Sequence, residues 1–148
     1  MNKLVRVLAT GTFDILHPGH ISFLEQAKAL GDELYVIIGR DANISNKPKP
    51  IIPEDQRLLM IQSLKPVDHA ILGSLTDYFE PLQIIQPDIV VLGFNQQIDA
   101  VKLKKDLNDH GFFPKIVRLS EADTGSVDDM YSSRKIIAEV LKKRCLKD

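Results

Sequence analysis

The chain has 148 residues, 44% of them hydrophobic and 26% charged, and its 19 Lys and Arg against 20 Asp and Glu leave a formal net charge of −1. That length suits one domain around one core, and the near-zero balance lacks the broad electrostatic footprint of a nucleic-acid binder. The single cysteine, Cys145, excludes an intrachain disulfide framework and a Cys-rich metal site, and no apolar run reaches the ~18 residues of a membrane span.

Residues 4–9 (LVRVLA) read as a first strand, rich in β-branched side chains. A helix is expected over 18–30, with Pro18 in its first turn, Ile21, Phe23, Leu24, Ala27 and Leu30 on its apolar side, and Gly31 as its stop. The second strand, 34–39 (LYVIIG), is almost continuously apolar, which suits a strand covered on both faces of a parallel sheet. A loop over 41–52 holds Asn, Ser, two Lys and two Pro, and loops this long in compact domains are often functional. The helix expected over 53–64 opens on Pro53, Glu54 and Asp55, acids where the helix dipole favours them.

A third strand, 67–72 (VDHAIL), leads to a short helix over 78–86, which requires Pro81 in its first turn. The fourth strand, 88–92 (DIVVL), is apolar like the second. A helix over 98–110, a strand over 115–119 (KIVRL) and a last helix over 131–143 complete the set. Ile136, Ile137, Val140 and Leu141 share one face of that last helix. This alternation predicts an α/β fold, a Rossmann-like doubly wound parallel sheet of five strands in the order 3-2-1-4-5 with helices on both faces, forming a single domain over 1–148. Such sheets take ligands beyond the carboxyl ends of their strands, at the switch point beside strand 1.

At that point the sequence reads Thr10-Gly11-Thr12-Phe13-Asp14-Ile15-Leu16-His17-Pro18-Gly19-His20. Gly11 permits a sharp turn and leaves room for a phosphate to approach the Thr12 and Phe13 amides. His17 falls just before the helix and His20 in its first turn, so their spacing puts both imidazoles on one side, beside free backbone N–H groups, and Gly19 adds no side chain between them. A helix start with two imidazole donors suits a polyphosphate. Surface histidines or half of a zinc site are the alternatives; zinc needs a third and usually a fourth ligand, and cysteine supplies none at a useful position. Asp14 can serve one metal, but the sequence offers no other compact cluster.

The run from Gly11 to His20 resembles the signature of the cytidylyltransferase-like nucleotidyltransferases, whose HxGH histidines contact nucleotide phosphates. His17 in the first place resembles the cytidylyltransferase and archaeal FAD synthase branches; pantetheine-phosphate adenylyltransferases usually carry Thr there. Lys47-Pro48-Lys49-Pro50-Ile51-Ile52-Pro53-Glu54-Asp55-Gln56-Arg57 is similar to the basic loop and following helix of archaeal-type FAD synthases. So are Ala70-Ile71-Leu72-Gly73-Ser74, the stretch Pro87 to Gln96 (PDIVVLGFNQ), and Tyr131-Ser132-Ser133-Arg134-Lys135-Ile136-Ile137. The Arg-Thr-Glu-Gly-Ile-Ser-Thr stretch of glycerol-3-phosphate cytidylyltransferases is missing, and Asn95 stands where the FAD synthase pattern has Asp.

The resemblance implies transfer of AMP from ATP to the phosphate of FMN, giving FAD and pyrophosphate, with Mg²⁺ on the triphosphate and Asp14 as a candidate ligand. The alternatives are a cytidylyltransferase using CTP with glycerol 3-phosphate or a related acceptor, and a nucleotide-binding module without turnover. His17 and His20 are the expected catalytic donors, together with the Thr12 and Phe13 amides, and Pro18 and Gly19 complete that nucleotide-binding turn. Lys47 and Lys49 are expected as mobile cations over the phosphates, against the alternative of solvated loop lysines. Arg57 is expected either to add a guanidinium to the same phosphates or to pair with an acid. Ser132, Ser133 and Arg134 start the last helix, where either serine caps or contacts ligand. Asn95 and Tyr131 are base or ribose contacts by resemblance alone. No nucleic acid or membrane partner is expected; the residues at the N-terminus have no signal-peptide shape, so a cytoplasmic protein is expected, and the superfamily resemblance implies a homodimer. His69 reads as a sheet-edge histidine, His110 as complementing a helix dipole, and Cys145 as a plain terminal residue.

Overall fold

A computed structural model describes residues 3–45, 48–93, 96–120 and 132–145. Among them, the parallel strands β1 (Arg6–Gly11), β2 (Glu33–Ile38), β3 (His69–Leu72), β4 (Ile89–Leu92) and β5 (Lys115–Arg118) form one sheet in the order β3-β2-β1-β4-β5. The helices are α1 (Pro18–Lys28), α2 (Glu54–Gln62), α3 (Glu80–Ile85), α4 (Ala100–Asp109) and α5 (Ser133–Arg144), with a short 3-10 turn at Asp41–Asn43. The expected fold class and strand order both hold.

Alternation along the strands builds two cores, because successive side chains leave a strand on opposite faces. Val7, Ala9, Leu34, Val36 and Ile38 pack with Leu24 and Ala27 of α1 and Ile61 of α2. Leu8 and Val90 face the other way, onto Leu82 and Ile85 of α3 and Leu107 of α4. The expectation that β2 is covered on both faces is met on one only. Leu34, Val36 and Ile38 are wholly buried, whereas Tyr35 and Ile37 are half-buried, since that side is covered by α4 and by an α3 of only 6 residues.

Element ends shift by one or two residues. β1 runs on to Gly11 because Thr10 and Gly11 still pair with Ile37 and Ile38 of β2. α3 starts at Glu80, which puts Pro81 in its first turn as the sequence required. Gly31 is not the left-handed stop of α1, whose cap is a right-handed Ala29 (φ −64). Close approach explains the glycine instead: a Cβ there would lie 2.8 Å from the Val5 carbonyl oxygen and 2.7 Å from a Val7 methyl.

With β1 at the centre, β2 leads away to one side and β4 to the other, so the carboxyl ends of β1 and β4 flank the switch point. All the chemistry described next gathers there.

Candidate active site

The segment after β1 folds as it does because Phe13 adopts a left-handed backbone (φ 53), unusual for an aromatic residue. The sequence assigns the sharp turn to Gly11, and the structure moves it two residues on. Gly11 is required for a different reason, since a Cβ there would sit 2.8 Å from the Phe13 ring, which packs against that backbone. Buried to 5% exposure, that ring lies 5.4 Å from the His20 ring, centroid to centroid, and 6.5 Å from that of Phe23. It forms the floor on which His20 rests.

His17 is the N-cap of α1 and Pro18 its first residue, a position where proline's missing N–H costs nothing. The two histidines cap the helix reciprocally. Nδ1 of His17 accepts the Gly19 N–H at 3.1 Å, and Nδ1 of His20 accepts the His17 N–H at 3.3 Å. The His20 N–H meanwhile donates to the His17 carbonyl at 3.0 Å. The free N–H groups expected beside the imidazoles are thus satisfied from within, at least at Gly19 and His20. What the helix start offers an anion is its dipole and the imidazoles themselves.

A ring nitrogen that accepts a hydrogen bond carries no proton, so each neutral imidazole here holds its proton on Nε2. The rings stack with centroids 3.8 Å apart. Burial lowers the pKa of His17; burial first, and then the neighbouring His17, lower that of His20 to about 4 against a small opposing pull from Asp14. Both are therefore neutral Nε2–H donors at neutral pH.

This has a consequence for stability. An unfolded His titrates near 6.5, and folded His20 near 4, so its stabilising contribution is intact above about pH 6.5 and is lost as pH falls toward and through about 4. The difference in unfolding free energy between wild type and His20→Gln should shrink by about 2 kcal/mol between neutral and mildly acidic buffer. Urea denaturation at the two pH values reads it, and a pH-independent difference would contradict the assignment.

Around this turn two polar networks hold the neighbouring loops. Gln96 spans the switch point: its Oε1 accepts the Gly93 N–H at 2.7 Å after β4, and its Nε2 donates to the Thr10 carbonyl at 3.1 Å in β1. Arg118 of β5 gathers the carbonyls of Gly93, Gln96 and Ile98 onto one guanidinium. On the other side Arg57, 1% exposed, donates to the carbonyls of Ile52 (2.9 Å), Thr12 (2.6 Å) and Gly39 (2.9 Å) and to Asp41 Oδ1 (2.5 Å). Glu54 ties in the same corner by accepting from Arg40 at 2.7 Å and from the Asp41 N–H at 3.2 Å.

Along the outer side of α1 a groove of about 460 Å³ opens beside His17, lined by Leu16, Pro18, Ile21, Ser22 and Glu25. Ser132 caps α5 by accepting the Lys135 N–H at 2.9 Å, and Ser133 Oγ donates to the Ile15 carbonyl at 2.8 Å, so the start of α5 abuts the turn that carries the histidines.

The cytidylyltransferase-like family matches residues 8–142, from the middle of β1 into α5. The chain belongs to that family. Among its cytidylyltransferase-like relatives, the FAD synthase of Methanolacinia petrolearia is 58% identical over 140 residues, 95% of this chain and 93% of that protein. The FAD synthases of Methanosarcina mazei and Methanothrix thermoacetophila are 56% and 50% identical, covering 95% and 96% of this chain and 91% and 97% of theirs. A solved structure, the lipopolysaccharide core biosynthesis protein of Thermoplasma volcanium, superposes with a TM-score of 0.78 at 45% identity over 82% of this chain and 100% of that one. The pantoate-beta-alanine ligase of Francisella tularensis, 18% identical with a TM-score of 0.58 over 100% of this chain and 74% of its own, shares the fold.

Within this cytidylyltransferase-like framework the structure brings Thr12, Phe13, Asp14, His17, Pro18, Gly19, His20, Ser132 and Ser133 to one end of the sheet, with Arg134 exposed in the first turn of α5. Lys49 is exposed and its ammonium donates to the Asp41 carbonyl at 2.6 Å. Lys47, Asn95 and Tyr131 lie outside the described residues. Arg57 has its guanidinium enclosed and engaged on four acceptors, the carboxylate of Asp41 among them. Asp14 carries no metal cluster around it: among the described residues no three His, Cys, Asp or Glu side chains group as metal ligands. Gln96, Arg118 and Asp41 had no role from the sequence. Their signal was position alone, each standing one to four residues beyond or at the carboxyl end of a strand.

Proposed function

We propose that this chain transfers the adenylyl group of ATP to the phosphate of FMN, forming FAD and releasing pyrophosphate. The observation that carries this reading is 58% identity to an FAD synthase along 95% of the chain. The site geometry fits the chemistry. A phosphomonoester oxygen of FMN is already anionic near pH 7, so it attacks the α-phosphorus of ATP without a general base. The new P–O bond forms as the bond to the β-phosphate oxygen breaks, and pyrophosphate departs with that electron pair.

Catalysis then consists of alignment and of stabilising negative charge on the α-phosphate and the leaving group. His17 and His20 present two fixed Nε2–H donors at the positive end of α1, and Lys49 stands on a loop that reaches the same turn. A divalent cation such as Mg²⁺ supplies charge neutralisation on the triphosphate.

Incubation with ATP, FMN and Mg²⁺, followed by chromatography of the flavins, should yield FAD and stoichiometric pyrophosphate. Product from CTP and glycerol 3-phosphate with none from ATP and FMN would favour the cytidylyltransferase alternative, and absence of pyrophosphate with every acceptor would favour a binding module. No described helix is long and apolar enough to cross a membrane. Light scattering tests the homodimer that the superfamily implies.

A further inference from the structure

We infer that Asp14 is a positioning residue that latches the descending limb of the 41–52 loop, and with it Lys49, onto the histidine-bearing turn. The limb reads Pro48-Lys49-Pro50-Ile51-Ile52-Pro53. Proline has no N–H, so between Pro50 and Pro53 the backbone has just two donors, those of Ile51 and Ile52. Both go to Asp14: the Ile51 N–H donates to Oδ2 at 3.0 Å and the Ile52 N–H to Oδ1 at 2.9 Å.

The residue spacing across this contact is 37 and 38 positions, so the latch joins segments that the chain connects through the whole of α1, β2 and the 3-10 turn. Charge-assisted bonds of this kind are about twice as strong as neutral ones. The opposite side of the limb is held as well, since the Ile52 carbonyl accepts from Arg57 Nε at 2.9 Å while Arg57 also grips the Thr12 carbonyl. Ile52 is thus fixed by N–H and carbonyl to the two ends of the Thr12–Asp14 segment.

Lys49 sits two residues before the latch and is flanked by prolines, which restrict the backbone on both sides. Its Cα is therefore set relative to His17 and His20, while its long side chain is free to exchange the Asp41 carbonyl for a phosphate. This places the cation by a stiff limb anchored at one carboxylate. The latch itself stands on the hydrogen bonds; only the statement that Lys49 meets a phosphate rests on the proposed function.

Amide hydrogen exchange followed by NMR tests the latch in the wild-type protein. Ile51 is 60% exposed, yet its amide and that of Ile52 should exchange at least about tenfold more slowly than unprotected amides. Asp14→Asn keeps one acceptor oxygen, so it should remove the protection of at least one of the two amides while leaving amides of β1 protected, raise the KM for ATP by about tenfold, and leave the Mg²⁺ concentration for half-maximal rate within about twofold. Lys49→Ala should cost much less in the Asp14→Asn background than in wild type, because one variant already removes what the other contributes. Unprotected Ile51 and Ile52 amides in wild type, or protection of both amides that survives Asp14→Asn, would overturn the latch. A tenfold or greater rise in Mg²⁺ requirement with both amides still protected would make Asp14 a metal ligand instead. Should no FAD form at all, the proposed function fails while the exchange measurement still decides the latch.

Discussion

His17→Asn should lower kcat by roughly 10²-fold or more while leaving the protein close to wild-type stability. Asparagine is a good N-cap residue, and its side-chain oxygen can accept the Gly19 N–H that His17 Nδ1 accepts now. What it lacks is the Nε2–H donor. The substitution therefore removes the donor that the proposed function aims at a phosphate and retains the group that starts the helix. His17→Ala removes both and should be less stable than His17→Asn by about 1 kcal/mol, the ordinary cost of losing a cap. Nucleotide affinity should change far less than kcat in His17→Asn, because a donor aimed at charge that develops during the reaction acts mainly in the transition state. Steady-state kinetics with ATP and FMN, alongside urea denaturation of both variants, check this. Equal losses in affinity and turnover would mean that His17 binds ground state and transition state alike.

The fold was legible in the sequence because its strongest signals are local and periodic. Short apolar runs separated by helices with Pro at their start gave both fold class and strand order, and the turn from Thr10 to His20 lay where that order puts the ligand. The roles of charged residues were less legible, because whether a cation faces solvent or protein is settled by tertiary packing. Arg57 illustrates this: it looks like a phosphate donor on an amphipathic helix, yet α2 turns it inward onto three carbonyls and Asp41. Asp14 illustrates the converse, since its partners Ile51 and Ile52 are 37 and 38 residues away and neither has a polar side chain to advertise the contact. The sequence points to Phe13 for its amide alone, because its left-handed backbone goes with a ring that lies over Gly11, a contact no local pattern encodes. Gln96 stood inside a recognisable stretch, but its two hydrogen bonds across β1 and β4 depend on those strands being neighbours.

Arg57→Ala should be the most destabilising single substitution discussed for this protein, by about 3–5 kcal/mol. Three backbone carbonyls lose a donor at once, Asp41 loses its cation, and a void replaces a side chain that is wholly buried. With a urea slope of about 1–3 kcal/mol/M for a small protein, the midpoint should fall by at least about 1 M. Arg57→Lys should not rescue it. A lysine ammonium is a point charge with three donors and cannot reproduce the planar fork that spans Thr12, Gly39, Ile52 and Asp41. The exposed pair Lys105 and Asp109, 3.4 Å apart, provides the contrast. Lys105→Ala should shift stability by less than about 0.5 kcal/mol, because an exposed i,i+4 pair is well solvated and weak. The expected pattern separates the two roles a buried arginine near a phosphate site can have. A residue that binds phosphate loses ATP affinity on substitution and leaves folding intact; Arg57, as placed here, loses folding stability first, and turnover falls with the share of molecules whose histidine turn and lysine limb remain joined. A stable Arg57→Ala protein with ATP affinity abolished would reverse that order and return Arg57 to the phosphates.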